Sequence, residues 1–313
     1  LPKNLISKIL VSQDGSEASV VARELAAFIA KKFKAKVTAF HVVSHQLMSS
    51  ELRRFSPETP EYIITRPLGQ DSVTHVPRPG YDYSERAKGA LSEITASFLD
   101  KGKSIVTEAL SFFKEQDIPA DEKLLENAEP AQAILKEAED ANDDLIVIGR
   151  SKDEEQRPHL GGVAAKVSRH SKVPILVATG GRNRISKILA PVDGSKASEK
   201  AAEYAGKLAK EVGAEVTFFH VQETSIFDYK PELSETIGKN ILDKAASLAG
   251  DVKIEKKMES GHPGEKIVDV ADKGDFDIIV MSGRGHSTID HYLMGSISDH
   301  VLHYANRSIL IVK

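Results

Sequence analysis

The chain has no cysteine and no tryptophan in 313 residues. The first absence excludes disulfides, thiolate metal sites and a cysteine nucleophile, and it suits a reducing cytoplasm. No apolar run approaches the ~18–20 residues needed to cross a bilayer. Leu1-Pro2-Lys3-Asn4 runs straight into a strand-like stretch, which reads against a signal peptide. An excess of positive charge is missing too. There are 42 Lys and Arg against 46 Asp and Glu, a formal net charge of −4, so no overall field attracts a polyanion. Neither nucleic acid nor membrane is expected as a partner. The Gly-x4-Gly-Lys-Ser/Thr phosphate loop is absent as well, which excludes an ordinary NTPase.

What is present is a duplication. Ile6-Ser7-Lys8-Ile9-Leu10 recurs as Ile185-Ser186-Lys187-Ile188-Leu189, an offset of 179. From Ile6 to Val43 this offset gives 21 identities in 38 positions without a gap. About two are expected by chance at ordinary residue frequencies. Further on, Pro130, Ile134 and Asp144 match Pro263, Ile267 and Asp277 at an offset of 133. The first copy is therefore longer by the difference, 46 residues, lying between its second and fourth strands. The boundaries this predicts are a first domain over 1–179, with a long insertion at about 44–90, and a second over 185–313. Gly180-Gly181 sits in the linker.

Each copy alternates strand and helix periods. Lys8–Ser12 and Lys187–Pro191 are short apolar strands ending at Asp-Gly-Ser turns. Val20, Val21, Leu25, Ile29 and Phe33 share one face of the helix that follows. Val37–Val43 and Val216–Val221 read as second strands. Leu145–Ile148 and Ile278–Met281 are β-branched runs suited to burial on both faces of a parallel sheet. Ile175–Val177 and Ile309–Val312 close the copies. The expected fold is α/β: two tandem doubly wound parallel five-stranded sheets, Rossmann-like or flavodoxin-like.

Such sheets bind ligands beyond the carboxyl ends of the strands, where strand order reverses. In the second copy that region holds Pro191-Val192-Asp193 after strand one. After strand four it reads Met281-Ser282-Gly283-Arg284-Gly285-His286, with Gly295-Ser296-Ile297 opening the next helix. Glycines let backbone N–H groups converge on a phosphate, and a helix N-terminus favours an anion. Arg284 and His286 add positive charge. This arrangement resembles the universal stress protein family, whose pattern is Gly, two residues, Gly, nine residues, then Gly-Ser or Gly-Thr. Gly285 and Gly295-Ser296 match it. The first glycine slot holds Ser282, with Gly283 one place late.

The resemblance implies the adenine nucleotide alpha hydrolase-like version of this fold and a bound ATP, with Mg2+, in the second domain. It assigns Asp193 and the backbone of Val221 to the adenine and ribose end. Ser282, Gly285, His286, Gly295 and Ser296 would cradle the phosphates, with Pro191, Val192, Met281, Gly283 and Ile297 around them. It also implies pairing of the two last strands within one chain, an intramolecular pseudo-dimer. A homodimer of such chains is neither required nor excluded.

The first copy departs further. Its loop runs Gly149-Arg150-Ser151-Lys152-Asp153-Glu154-Glu155 to Gly161-Gly162, so Lys152 replaces a glycine and Gly162 stands where Ser296 does. Three consecutive acids would repel a triphosphate, with Arg150, Lys152 and Arg157 partly offsetting them. This domain is expected to have lost ATP or to bind something else.

Several residues have plainer roles. Asp14 and Asp193 suit Asx turns that start the first helices, with Ser16 and Ser195 as caps. His41 and His220 are expected as satisfied interior histidines. His286, His291, His300 and His303 have no metal-ligand spacing, and no Ser–His–Asp order can be assigned. The insertion is proline-rich (Pro57, Pro60, Pro67, Pro77, Pro79), which suits a lid, an oligomer contact or a partner-binding arm. The leading expectation is a cytoplasmic nucleotide-binding regulatory protein with little or no hydrolysis. A nucleotide-processing enzyme using Asp193 or His286, and a ligand-free scaffold, are the alternatives.

Overall fold

Ile9, Leu10 and Val11 of β1 (Lys8–Ser12) are fully buried, as a central strand covered on both faces requires. The chain then turns through Asp14-Gly15-Ser16. Gly15 sits at φ 79, where a side chain would be strained. Ser16 caps α1 (Glu17–Phe33) by accepting the Ser19 N–H at 3.3 Å. The deepest face of α1 is Ala22, Leu25, Ala26, Ile29, Ala30 and Phe33; half-buried Val21 packs against the same core, while Val20 does not, a correction to the face read from periodicity. Small alanines let the helix approach the sheet closely.

The computed structural model describes residues 4–44, 83–126, 128–152, 158–180, 183–223, 231–284 and 294–313. Most of the insertion, 45–82, lies outside the described residues. The first half continues with β2 (Lys36–Val43), α2 (Tyr83–Lys114), β3 (Ala120–Glu126), α3 (Pro130–Asp140) and β4 (Leu145–Gly149). A two-residue ribbon, β5 (Ser151–Lys152) with β6 (Pro158–His159), precedes α4 (Gly162–His170) and β7 (Ile175–Ala178). The second half runs β8 (Lys187–Pro191), α5 (Lys196–Val212), β9 (Glu215–Gln222), α6 (Pro231–Leu248), β10 (Ile254–Ser260), α7 (Pro263–Lys273), β11 (Ile278–Ser282), α8 (Ser296–Tyr304) and β12 (Ser308–Val312). The extra length of the first copy includes its second helix, 32 residues in α2 against 18 in α6.

The main sheet has ten strands in the order β10-β9-β8-β11-β12-β7-β4-β1-β2-β3. Each half therefore contributes five parallel strands in the Rossmann-like order, switching direction beside β1 and β8. The halves join through one antiparallel pair, Ile309 to Val177, Leu310 to Leu176 and Ile311 to Ile175. Each last strand covers the other's open edge, so the outer edges are the charged strands β3 and β10. On both faces the apolar core runs through both halves. No helix among the described residues is long and apolar enough to cross a membrane.

Asp277 shows how the duplication preserves local chemistry. Its carboxylate accepts the N–H groups of Ser186 (2.7 Å) and Lys187 (2.9 Å), tying β8 to the start of β11. Asp144 does the same for Ser7 and Lys8. The preceding position is not preserved: Asp143 stands where the second copy has Phe276. Asp143 is 7% exposed and its Oδ2 has no hydrogen-bond partner. Burial, opposed by Lys8 and helped by the smaller effects of Glu137 and Asp144, pushes its carboxyl up to about 6. The native state thus holds this proton more tightly than the unfolded chain, so its contribution to stability falls as pH rises from about 4 through 6. Asp143→Asn is expected to raise unfolding free energy by about 1–2 kcal/mol at pH 7.5. That gain should shrink toward zero near pH 4, measured by urea denaturation across this range.

Candidate functional site

The Asx turn expected at Asp193 is present: its Oδ1 accepts the Ser195 N–H at 2.9 Å, across Gly194 at φ 82. Ser195 in turn accepts the Ser198 N–H at 3.1 Å and caps α5. Asp14 repeats the pattern with the Ser16 N–H at 2.9 Å. This turn ends β8 early and opens a crevice between β8 and β11.

Beside it, β9 runs on. The Val192 N–H donates to the Phe219 carbonyl at 2.9 Å, and Pro191 is the last residue of β8 in register with β9. Alternate residues of a parallel strand direct their backbone groups to the same neighbour. Val221, two residues after Phe219, therefore directs its N–H and C=O toward the crevice, past the end of β8. Gln222 faces the other way and accepts the Gly261 N–H. His220, half-buried, has its Nδ1 2.8 Å from the Val192 carbonyl, and His41 has its Nδ1 2.6 Å from the Gln13 carbonyl. A carbonyl only accepts, so Nδ1 carries the proton in both. Both are satisfied histidines.

Opposite Asp193, α8 begins at Gly295, in extended conformation (φ −67, ψ 148) with no side-chain cap. Its first-turn N–H groups have no intrahelical acceptor and the helix dipole points outward. The helix is fixed from behind by two bonds: Gly295 N–H to the Gly283 carbonyl (2.9 Å) and Ser298 Oγ to the Ser282 carbonyl (2.9 Å). The Ser282 hydroxyl turns into its own loop and donates to the Arg284 carbonyl at 2.5 Å.

A cavity of ≈470 Å3 fills the space between these groups. Pro191, Val192, Asp193, Val221, Met281, Ser282, Gly295, Ser296 and Ile297 all line it, nine of the twelve residues singled out in the sequence. Gly285 and His286 lie outside the described residues. Gly283 is placed elsewhere. Its N–H donates to the Val312 carbonyl at 3.1 Å, its carbonyl holds Gly295, and it lines a separate cavity.

Ser198, Phe219, Glu223 and Ser298 also line the crevice and were not singled out in the sequence. Phe219 and Ser198 belong to the runs shared by both copies, and Phe219 is on the same edge of β9 as Val221. Pro263 and Ile267 line it from α7, as Pro130 and Ile134 line the first-half crevice. Those matched pairs were the legible signal.

The first-half crevice measures ≈260 Å3 and retains Asp14, Val42 and the uncapped start of α4 at Gly161-Gly162. The loop before it carries the β5–β6 ribbon. The loop's acids, Asp153, Glu154 and Glu155, lie outside the described residues, but Arg150 before them is placed. It is 3% exposed and donates to the His303 (2.6 Å) and Ala305 (2.8 Å) carbonyls at the end of α8. Burial lowers its guanidinium to about 10. Docking of the second half supplies acceptors that no reading of the loop alone reveals.

Among the described residues no three His, Asp or Glu side chains come together as a metal site. His300 stacks between His262 and Tyr304, with ring centroids 5.8 and 4.6 Å away. His303 Nδ1 lies 2.8 Å from the Asp299 carbonyl.

Known proteins resemble this chain in sequence and in architecture. The sequence profile of the universal stress protein family matches residues 70–179 and 184–313. A universal stress protein of Methanocaldococcus jannaschii is 34% identical over 148 residues, 44% of this chain and 87% of its own. One from Mycobacterium bovis is 27% identical over 237 residues, 68% of this chain and 77% of its own. The solved structure of a universal stress protein from Archaeoglobus fulgidus covers 98% of both chains, with a TM-score of 0.66 at 18% identity. At that identity the likeness is one of fold.

Proposed function

Because the chain belongs to the universal stress protein family, we propose that it is a cytoplasmic stress-response regulator that binds ATP through its second half. The observation that carries this reading is the uncapped start of α8 at Gly295-Ser296, facing Asp193 and Val221 across a cavity of ≈470 Å3. Val221 offers adenine one backbone donor and one acceptor. Asp193 offers a carboxylate to ribose hydroxyls. The first-turn amides of α8 and the Ser296 hydroxyl offer donors to phosphate oxygens, in the field of the helix dipole. Arg284, also lining the cavity, adds a cation. Pro191, Phe219, Ile267 and Met281 supply apolar walls.

The residues fit ATP better than a catalysed hydrolysis. Asp193 and Glu223 are the carboxylates among the described lining residues. Asp193 is held by the Ser195 amide at the base-binding end of the proposed pose, away from the phosphates. Binding rather than turnover is therefore the proposed activity, with Mg2+ accompanying the phosphates.

Calorimetric titration with ATP and Mg2+ tests this. One ATP per chain is expected, with product formation on the scale of hours or slower. Two ATP per chain would mean that the smaller first-half crevice also takes nucleotide. No heat at millimolar ATP would sink the reading.

A further inference from the structure

A second cavity, of ≈450 Å3, lies in the seam between the two halves. Six cations line it: Arg169 and Lys172 from the end of α4 and the turn after it, Lys196 and Lys200 from the start of α5, and Arg284 and Lys313. No Asp or Glu side chain is among its described lining residues. The crevice and the seam cavity thus differ in kind, since the crevice contains two carboxylates among its described lining residues and this one none.

The duplication provides an internal control. The chain passes the same seam twice, once with each half's loop facing the other half's last helix. Arg150 and Gly283 occupy equivalent places, because Arg150 N–H bonds the Ala178 carbonyl (2.9 Å) and Gly283 N–H the Val312 carbonyl (3.1 Å). In the first seam the Arg150 side chain fills the space and caps α8. In the second, Gly283 has no side chain and the space stays open. Lys313 Nζ reaches the Ser168 carbonyl near the end of α4 at 2.7 Å. The neighbouring positions change in one direction: Glu17 becomes Lys196, Val21 becomes Lys200 and Thr179 becomes Lys313. Across these four positions the formal charge is zero in the first seam and three positive in the second. Fold alone requires none of this, since the first seam closes without it.

We propose that this seam cavity is a binding site for a small anion bearing two or more phosphoryl groups. A single phosphate reaches two or three cations; a short phosphoanhydride chain spans more of a cavity this size. Several of the cations already have acidic partners, Arg169 with Asp299 (2.8 Å), Lys172 with Glu139 (3.0 Å) and Lys196 with Glu199 (3.0 Å). A guanidinium carries five N–H donors and an ammonium three, so such pairs leave donors for a ligand. Desolvation, then the neighbouring Arg284, lowers the Lys313 ammonium to about 8, a crowding of positive charge that a bound anion relieves. Arg284 borders both cavities, while the other five cations line the seam alone.

The test is calorimetric titration of the full chain with inorganic pyrophosphate at low and moderate salt. Three variants accompany it. Lys196→Glu with Lys200→Val restores the first seam's residues at two exposed positions. Gly283→Arg refills the space as Arg150 does, and Gly295→Asp disables the crevice alone. Pyrophosphate should bind the wild type, more weakly as salt rises. Affinity should fall about tenfold or more in the first two variants and stay within about twofold in the third. The proposal is overturned if pyrophosphate fails to bind at millimolar concentration. It is equally overturned if Gly295→Asp abolishes binding while the double lysine variant leaves it unchanged.

Discussion

Gly295→Asp is expected to weaken ATP binding by about 100-fold or more while leaving the fold as stable as before, or slightly more so. The two effects have one cause. Gly295 is the N-cap of α8 and lies in extended backbone that any residue adopts. Aspartate there accepts the first-turn N–H groups, which stabilises the helix by a few tenths of a kcal/mol relative to glycine. The same bonds remove the donors proposed for the phosphates and place a carboxylate where they would sit. Like charges ~4 Å apart in a partly buried site repel by about 4 kcal/mol at an effective dielectric of 20, and the lost amide bonds add to this. Calorimetry and thermal denaturation on one preparation check both effects. Binding within about threefold of wild type would remove the phosphates from the start of α8. Gly161→Asp, at the equivalent cap of α4, should leave the stoichiometry at one, because the first half is read as having lost ATP.

Much of this arrangement was legible in the sequence because duplication separates what the fold needs from what one copy uses. Residues Ile6 to Val43 repeat closely, so β1, β2, β8 and β9 were placed almost to the residue, with a helix between the first two. Buried strands β4, β7, β11 and β12 showed as β-branched runs. The third strands did not show. β3 reads Ala-Asp-Glu-Lys-Leu-Leu-Glu and β10 reads Ile-Glu-Lys-Lys-Met-Glu-Ser, with most residues exposed or half-exposed. As edge strands they have charged side chains that discourage further pairing, and this hides the period-two signal. The crevice was mostly legible, since its walls come from strand ends and helix starts that local pattern positions. The seam contacts of Gly283 and Arg150 were not legible, for another reason. Both look like loop residues, but their roles depend on the opposite half docking against that loop, which is a long-range fact.

Arg150→Ala should lower unfolding free energy by about 3 kcal/mol, measured by urea denaturation. The loss does not come from an exposed ion pair, which would be worth little. The guanidinium is 3% exposed and donates to two carbonyls, His303 and Ala305, at the end of α8. Removing it leaves two shielded acceptors unsatisfied, at about 1–3 kcal/mol each, and a void between the halves. Relief of the arginine's own desolvation, visible in its lowered pKa, offsets part of this. Arg150→Met separates the contributions: it keeps most of the volume and the relief but still orphans the carbonyls, so it should lie between wild type and alanine. The antiparallel contact is three residue pairs long, so loosening the seam beside it should also broaden the transition or split it into two. A loss below about 1 kcal/mol with a single sharp transition would show that the paired strands and the shared core hold the halves together without Arg150.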